Sequence, residues 1–133
     1  MAGKAPMRAG MVQRAGFYQG FSDQFSDLGK SKLRQLVRSV PKDAQAVQVE
    51  VAGVSVGLDS LKANAVLAAE RASKLAEELE KRGIQGEFTV TVTANYTADG
   101  AERSLAGKAD VLKTKAGKPL TTVTILFQEP VAN

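Results

Sequence analysis

The side chains available for chemistry in this chain include neither histidine nor cysteine, because its 133 residues contain none of either. Without histidine, a serine cannot be activated in the usual catalytic triad, and the commonest general base and metal ligand are both missing. Neighbouring carboxylates on Glu77, Glu78 and Glu80 are interpreted as solubilising charges on an exposed helix face. No glycine-rich phosphate-binding motif is present. The sequence therefore predicts no catalytic residue, no metal site, no cofactor and no enzyme activity.

The most informative stretch of the chain is residues 53–72, GVSVGLDSLKANAVLAAERA. Just before them, the valines of residues 47–51 alternate with polar residues and predict a half-buried strand. After a turn flanked by glycines, apolar residues recur every three or four positions, which predicts a long helix capped by Asp59 or Ser60. That helix carries two polar residues of interest, Asn64 and Arg71.

The first 40 residues are predicted to form an arm, a strand and a helix. Residues 1–15 show no apolar periodicity, and their basic residues precede any acidic one, so we predict a flexible basic arm. Residues 16–22, GFYQGFS, predict a first strand with both phenylalanines on one side. Residues 28–40 predict a helix that is capped by Asp27 and ended by Pro41.

The second half of the chain is predicted to contain two more strands. A Gly-Ile pair at residues 83–84 predicts the end of the long helix. Residues 88–94 and 122–127 alternate apolar residues with threonine and predict the third and last strands. Between these strands, residues 98–119 are predicted to be a polar, variable insert, in which residues 109–115 could form a short helix or one arm of a hairpin.

The order of these elements predicts an α+β fold, a two-layer sandwich in which a sheet of about four strands carries two helices on one face. An apolar fraction of 44% and a charged fraction of 24% are typical of a globular domain. We predict one domain at residues 16–128, preceded by the arm and followed by a tail at residues 129–133.

The segment around the long helix resembles the OmpA-like domain, the peptidoglycan-associating module of many bacterial envelope proteins. That family has roughly Gly-x-Thr-Asp at the end of a strand, an Asn eleven residues after the Gly, and then Leu-x-x-x-Arg-Ala. The chain matches this pattern at Gly53, Asn64, Leu67, Arg71 and Ala72, and its helix ends on the Gly-Ile pair that is common in the family. The resemblance implies the same α+β fold.

The resemblance also implies a ligand pocket where the second strand turns into the long helix. In the family, an Asp there accepts the ammonium group of a diaminopimelate side chain, and the Arg binds a carboxylate of the same group. Arg71, Asn64 and Ser55 stand at the positions of the family's Arg, Asn and Thr, but Val56 stands where the Asp is needed. Losing this counter-charge costs about 2–5 kcal/mol. Asp59 is the nearest acid that could compensate, and Arg71 could alternatively have a structural role.

The missing acid favours a structural role over ligand binding. Our leading hypothesis is a non-catalytic assembly subunit with a degenerate OmpA-like fold, best matched by a phage virion or tail component, and next by part of a secretion or injection machine. Its partners would be other protein subunits, including further copies of the same chain. Because no secretory signal or membrane span is visible in the sequence, we expect cytoplasmic synthesis and incorporation into such an assembly.

The alternative hypothesis is a peptidoglycan-binding envelope anchor module, which would act in the periplasm. A third hypothesis is electrostatic binding of nucleic acid through the basic arm. We rank it below the other two, because a chain with no tryptophan and few other aromatic residues has little surface for base stacking.

Overall fold

The computed structural model describes residues 6–98, 101–105 and 120–131. In chain order, these residues form β1 (Met7–Ala15), α1 (Asp27–Arg38), β2 (Gln45–Ser55), α2 (Leu61–Lys81), β3 (Glu87–Ala98), β4 (Ala101–Leu105) and β5 (Thr122–Pro130). The five strands form one sheet in the order β1-β5-β2-β3-β4. β2 and β3, which α2 connects, are parallel, and the other neighbouring pairs are antiparallel.

Both helices pack on one face of the sheet and share a single hydrophobic core. The helices contribute Leu33, Leu36, Ala72, Leu75 and Leu79 to it, and the strands contribute Val12, Val49, Val51, Val123, Ile125 and Phe127. The strand residues alternate in sequence, so they all point to the helical side. This confirms the predicted α+β two-layer sandwich, with five strands where about four were expected.

The first half of α2 lies directly against β2 because both elements have small residues where they meet. A Cβ atom at Gly53 would overlap the carbonyl oxygen of Ala68 and the methyl group of Ala72. The alanine-rich helix stripe and this strand glycine therefore fit together, and the close approach fixes where the middle of α2 lies relative to the end of β2.

The ends of the helices follow from side-chain and glycine caps. Ser60 is the N-cap of α2, and its hydroxyl accepts a hydrogen bond from the Ala63 amide at 3.0 Å. α1 is capped by Ser26, whose hydroxyl accepts from the Gly29 amide at 2.9 Å, so the predicted Asp27 cap is one residue too late. At the end of α2, Gly83 has a φ of 95°, and the next amide donates to the Leu79 carbonyl at 3.0 Å, which confirms the Gly-Ile stop.

The N-terminal prediction is wrong in two respects. Residues 7–15, predicted to belong to a flexible arm, form β1 and pair with β5 along its whole length. Residues 16–22, predicted to be a strand, form the connection to α1, in which Phe17 is buried while Phe21 is 62% exposed. β1 has little periodic signal because Val12 is its one residue in the hydrophobic core and Gly10 leaves room for the Phe127 ring.

The C-terminal prediction also needs correction. β5 continues to Pro130, so the predicted tail begins inside a strand, where Glu129 pairs with Arg8 of β1 at 2.8 Å. β4 lies within the segment predicted to be an insert. Residues 109–115, for which the sequence allows either a short helix or one arm of a hairpin, lie outside the described residues. Among the described residues, no helix is both long and apolar enough to cross a bilayer.

Candidate functional site

A cleft of about 470 Å³ opens where β2 ends and the turn to α2 begins. The connection between β1 and α1 forms its opposite wall. Three of its described lining residues, Ser55, Arg71 and Thr121, are polar, and the others are apolar, aromatic or glycine. The volume is within the range of about 300–1,000 Å³ that is usual for small-ligand sites.

The turn from β2 to α2 is held in shape by Asn64. Its side-chain oxygen accepts hydrogen bonds from the Ser55 hydroxyl at 2.8 Å and from the Leu58 amide at 3.0 Å. Its amide nitrogen donates to the Leu58 carbonyl at 3.0 Å. Asn64 is fully buried and does not line the cleft. Its contacts therefore shape the turn, while Ser55 also contributes to the wall of the cleft.

Arg71 ties three parts of the chain together at the bottom of the cleft. Its guanidinium donates to the carbonyls of Ser22 at 3.0 Å and Gly20 at 2.9 Å, both in the β1–α1 connection. It also donates to the carbonyl of Val54 in β2 at 2.9 Å. The residue is only 8% exposed, and this burial lowers the pKa of Arg71 from its ordinary value.

Tyr18 packs beside this guanidinium and closes one side of the cleft. The Arg71 Cζ atom lies 5.1 Å from the centre of the Tyr18 ring, a cation–π distance, and the Tyr18 hydroxyl donates to the Arg71 carbonyl at 2.8 Å. The ring also stacks on Phe25 with centroids 5.2 Å apart. Burial raises the pKa of Tyr18 above its ordinary value, against the opposing effect of the Arg71 charge.

The positive charge of Arg71 has no carboxylate partner within the described part of the chain. The nearby Asp23 instead pairs with Lys74 at 3.0 Å, and its hydrogen bond to Lys74 lowers the pKa of that carboxyl. A guanidinium has five N–H groups, and backbone carbonyls take three of them, which leaves two without a partner among the described residues. Among the described residues, the structural contacts of Arg71 are therefore made with backbone carbonyls and not with a neighbouring acid.

The four residues predicted for the site do not all meet in the cleft. Ser55 and Arg71 line it, Asn64 supports its turn, and Asp59 is exposed to solvent away from its walls. Val56 is half-buried and lines the cleft at the position where the resemblance requires an Asp. Asp59 thus does not replace the missing acid, because the Ser60 cap starts the helix and leaves the preceding side chain in solvent.

The sequence prediction missed the contribution of the β1–α1 connection. The carbonyls of Gly20 and Ser22, and the rings of Tyr18 and Phe21, all belong to it. A signal was present in the two glycines at residues 16 and 20, both of which have positive φ and interrupt any strand. Every residue has a backbone carbonyl, however, so the sequence does not show which carbonyls face the cleft.

Solved structures with the same architecture exist, although no protein-family model and no curated protein sequence matches the chain. The periplasmic domain of Helicobacter pylori MotB aligns with a TM-score of 0.52 at 14% identity, over 92% of this chain and 77% of that one. A structure described as the cell wall anchor of the T6SS from Pseudomonas aeruginosa aligns with a TM-score of 0.56 at 15% identity, over 94% of this chain and 88% of that one.

A longer MotB periplasmic fragment gives a TM-score of 0.53 at 14% identity, over 92% of this chain and 64% of that one. Identities this low establish the fold alone. The sheet order, the two helices on one face and these neighbours agree with the resemblance found in the sequence, so the chain has the OmpA-like fold.

Proposed function

We propose that this protein is a non-catalytic module that anchors a larger assembly to the bacterial cell wall by binding a carboxylate of peptidoglycan at Arg71. The fold supports this proposal, because one structure that shares it is described as a cell wall anchor. The partners would be the other subunits of that assembly, among them further copies of the chain.

The observation that carries the proposal is the buried guanidinium of Arg71. A buried charge is expensive unless it is paired, and three carbonyl dipoles offset that cost only in part. The two remaining N–H groups of Arg71 suit the two oxygens of one carboxylate. The peptides of peptidoglycan carry such carboxylates, and the cleft has room for one amino-acid residue and its neighbours.

The virion hypothesis has no support from the neighbouring structures. They are described as a periplasmic domain and as a cell wall anchor, and neither description is of a virion or phage tail component. The secretion or injection machine that we ranked second remains compatible with the proposal, since the anchor belongs to the T6SS.

Co-sedimentation with purified peptidoglycan sacculi tests the proposal. We expect the wild-type protein to pellet with sacculi, and Arg71→Ala to bind at least about 30-fold more weakly, because a buried charge–charge contact is lost. Arg34→Ala is the matched control: Arg34 is exposed on α1, away from the cleft, so its loss should leave binding unchanged.

Arg71 also supports the fold, so a loss of binding in Arg71→Ala needs a second measurement on the wild-type protein. Titration of isotope-labelled protein with a soluble muropeptide should shift the amide resonances of residues 54–57 and the Nε–H of Arg71. Wild-type protein that does not pellet, or a titration that moves resonances only away from the cleft, would contradict the proposal.

A further inference from the structure

We infer that the cleft prefers a carboxylate whose neighbouring group is uncharged, such as the C-terminal carboxylate of a peptide, and discriminates against a carboxylate that has an ammonium group on the same carbon. Val56 sets this preference. The inference rests on the proposed function, since it specifies the class of ligand for the same cleft.

Among the residues that the structure describes, the cleft supplies charge of one sign only. Arg71 is its charged residue among the described lining residues, and the wall around it consists mainly of Val54, Val56, Phe21 and Leu120. Of the acids nearest to the site, Asp23 is held by Lys74 at 3.0 Å, and Asp59 is exposed outside the cleft. An ammonium group entering beside Arg71 would lose its hydration, gain no counter-charge and be repelled by the guanidinium.

The same walls favour an apolar group next to the carboxylate. Val56 is half-buried at the end of β2, and the ring of Phe21 lies across the backbone of Gly57, where a Cβ atom would overlap it. A carboxylate bound to Arg71 would therefore have aliphatic and aromatic surface beside its α-carbon. A methyl or methylene group there gains by leaving water, whereas a charged group loses.

The C-terminal carboxylate of a peptide meets these requirements. Its nitrogen is part of an amide and carries no charge, and its α-carbon can carry a methyl group, as in alanine. The inner faces of Tyr18 and Phe21 provide contact area for such a residue without adding charge. Peptidoglycan stem peptides that end in alanine present this group.

A matched pair of synthetic peptides tests the preference. The first is a stem tripeptide ending in diaminopimelate whose other carboxylates are all converted to amides, so that its one remaining carboxylate has the free side-chain ammonium on the same carbon. The second is the same peptide with that ammonium replaced by hydrogen. Titration calorimetry or NMR should show that the wild-type protein binds the second peptide at least about tenfold more tightly. Equal binding, or tighter binding of the ammonium form, would overturn the inference.

Two variants at residue 56 assign the preference to Val56. Val56→Asp should reverse the order of the two peptides, because it places an anion where the ammonium lies. Val56→Asn should not reverse this order, because the Asn side chain has the same shape as that of Asp but carries no charge. If Val56→Asp folds and leaves the ratio unchanged, Val56 does not set the preference; if it does not fold, the wild-type ratio decides the inference.

The outcomes also separate this inference from the proposed function. Wild-type protein that pellets with sacculi in an Arg71-dependent way, yet prefers the ammonium peptide, retains the proposed function and refutes the inference. Wild-type protein that binds neither sacculi nor either peptide refutes both.

Discussion

Arg71 has a structural role in the fold and a second role in the proposed function, and both use its guanidinium group. Its three carbonyl contacts fasten the β1–α1 connection and the end of β2 to the middle of α2, and the proposed function assigns its two remaining N–H groups to a ligand. Because the residue is held by backbone atoms and by the Tyr18 ring, the guanidinium is already in place before any ligand arrives. Such preorganisation reduces the entropy that is lost on binding.

Tyr18 should make the stability of the protein sensitive to alkaline pH. Its hydroxyl bond to the Arg71 carbonyl is expected to contribute about 1 kcal/mol at pH 7, which Tyr18→Phe would lose. The raised pKa of Tyr18 means that the unfolded chain releases its phenolic proton near pH 10 while the folded chain keeps it. Stability due to this group is therefore present below pH 10 and falls as the pH rises further.

Urea unfolding of the wild type and Tyr18→Phe at pH values from about 7 to 11 measures this effect. The difference in unfolding free energy should be constant up to about pH 9 and should shrink above pH 10. The comparison cancels the titration of the lysines, which both proteins share. A difference that stays constant to pH 11 would mean that the phenol is not protected by the fold.

At the scale of the elements, those with a clear apolar repeat could be predicted and those without one could not. β2, α2 and β3 each carry alternating or helical apolar residues, and all three were found within a few residues of their observed bounds. β1 has Val12 as its one residue in the hydrophobic core, so its strand character comes from pairing with β5. Tertiary contacts therefore determine that residues 7–15 form a strand, which the local sequence does not indicate.

The same distinction applies to the site. Arg71 and Ser55 were found through the resemblance to the OmpA-like family, because they stand at the family's positions when Gly53 is aligned with its Gly. The wall formed by the β1–α1 connection was not found. It contributes backbone carbonyls and the rings of Tyr18 and Phe21, and the chain brings it to Arg71 from 49 to 51 residues away. Sequence spacing has no information about such contacts.

The close contact between α2 and β2 yields a prediction about Gly53. Gly53→Ala should destabilise the protein by about 1–3 kcal/mol, because the new methyl group overlaps the Ala68 carbonyl and pushes the helix away from the strand. Gly83→Ala is the comparison variant, which should lose stability for a different reason. A methyl group at Gly83 meets no atom within 4 Å, so the expected loss of about 1 kcal/mol in unfolding free energy comes from the positive φ alone.

Urea denaturation midpoints of both variants measure these costs. In addition, Gly53→Ala should weaken sacculus binding, since displacement of α2 moves Arg71 relative to the Val54 carbonyl, whereas Gly83→Ala should leave binding unchanged. Wild-type stability in Gly53→Ala would show that the helix does not lie as close to β2 as the structure has it.

At the scale of the whole molecule, the sheet holds the two walls of the cleft in a fixed relation. β2 ends at one wall, and β1 leads into the other through Gly16, which has a φ of 86°. β5 lies between them and pairs with both strands. The N-terminal strand is thus part of the scaffold that positions the Tyr18 side of the cleft, and the basic residues Arg8 and Arg14 lie on a paired strand.

Two adjacent residues of β1 provide the sharpest test of this role, because they point to opposite faces of the sheet. Val12 is 8% exposed and belongs to the core, whereas Met11 is 62% exposed on the other face. Val12→Ala should lower the free energy of unfolding by about 1–3 kcal/mol, since it removes two buried methyl groups and leaves a cavity. Met11→Ala should change it by less than about 0.5 kcal/mol, although it removes a larger side chain.

A shift of one residue in the pairing of β1 with β5 would exchange the faces of these two side chains and so reverse the order of the two effects. A flexible arm would make both substitutions neutral. Urea unfolding of the two variants therefore distinguishes the observed register from a slipped strand and from an unpaired segment, and the result decides whether the β1–α1 wall of the cleft has a fixed base.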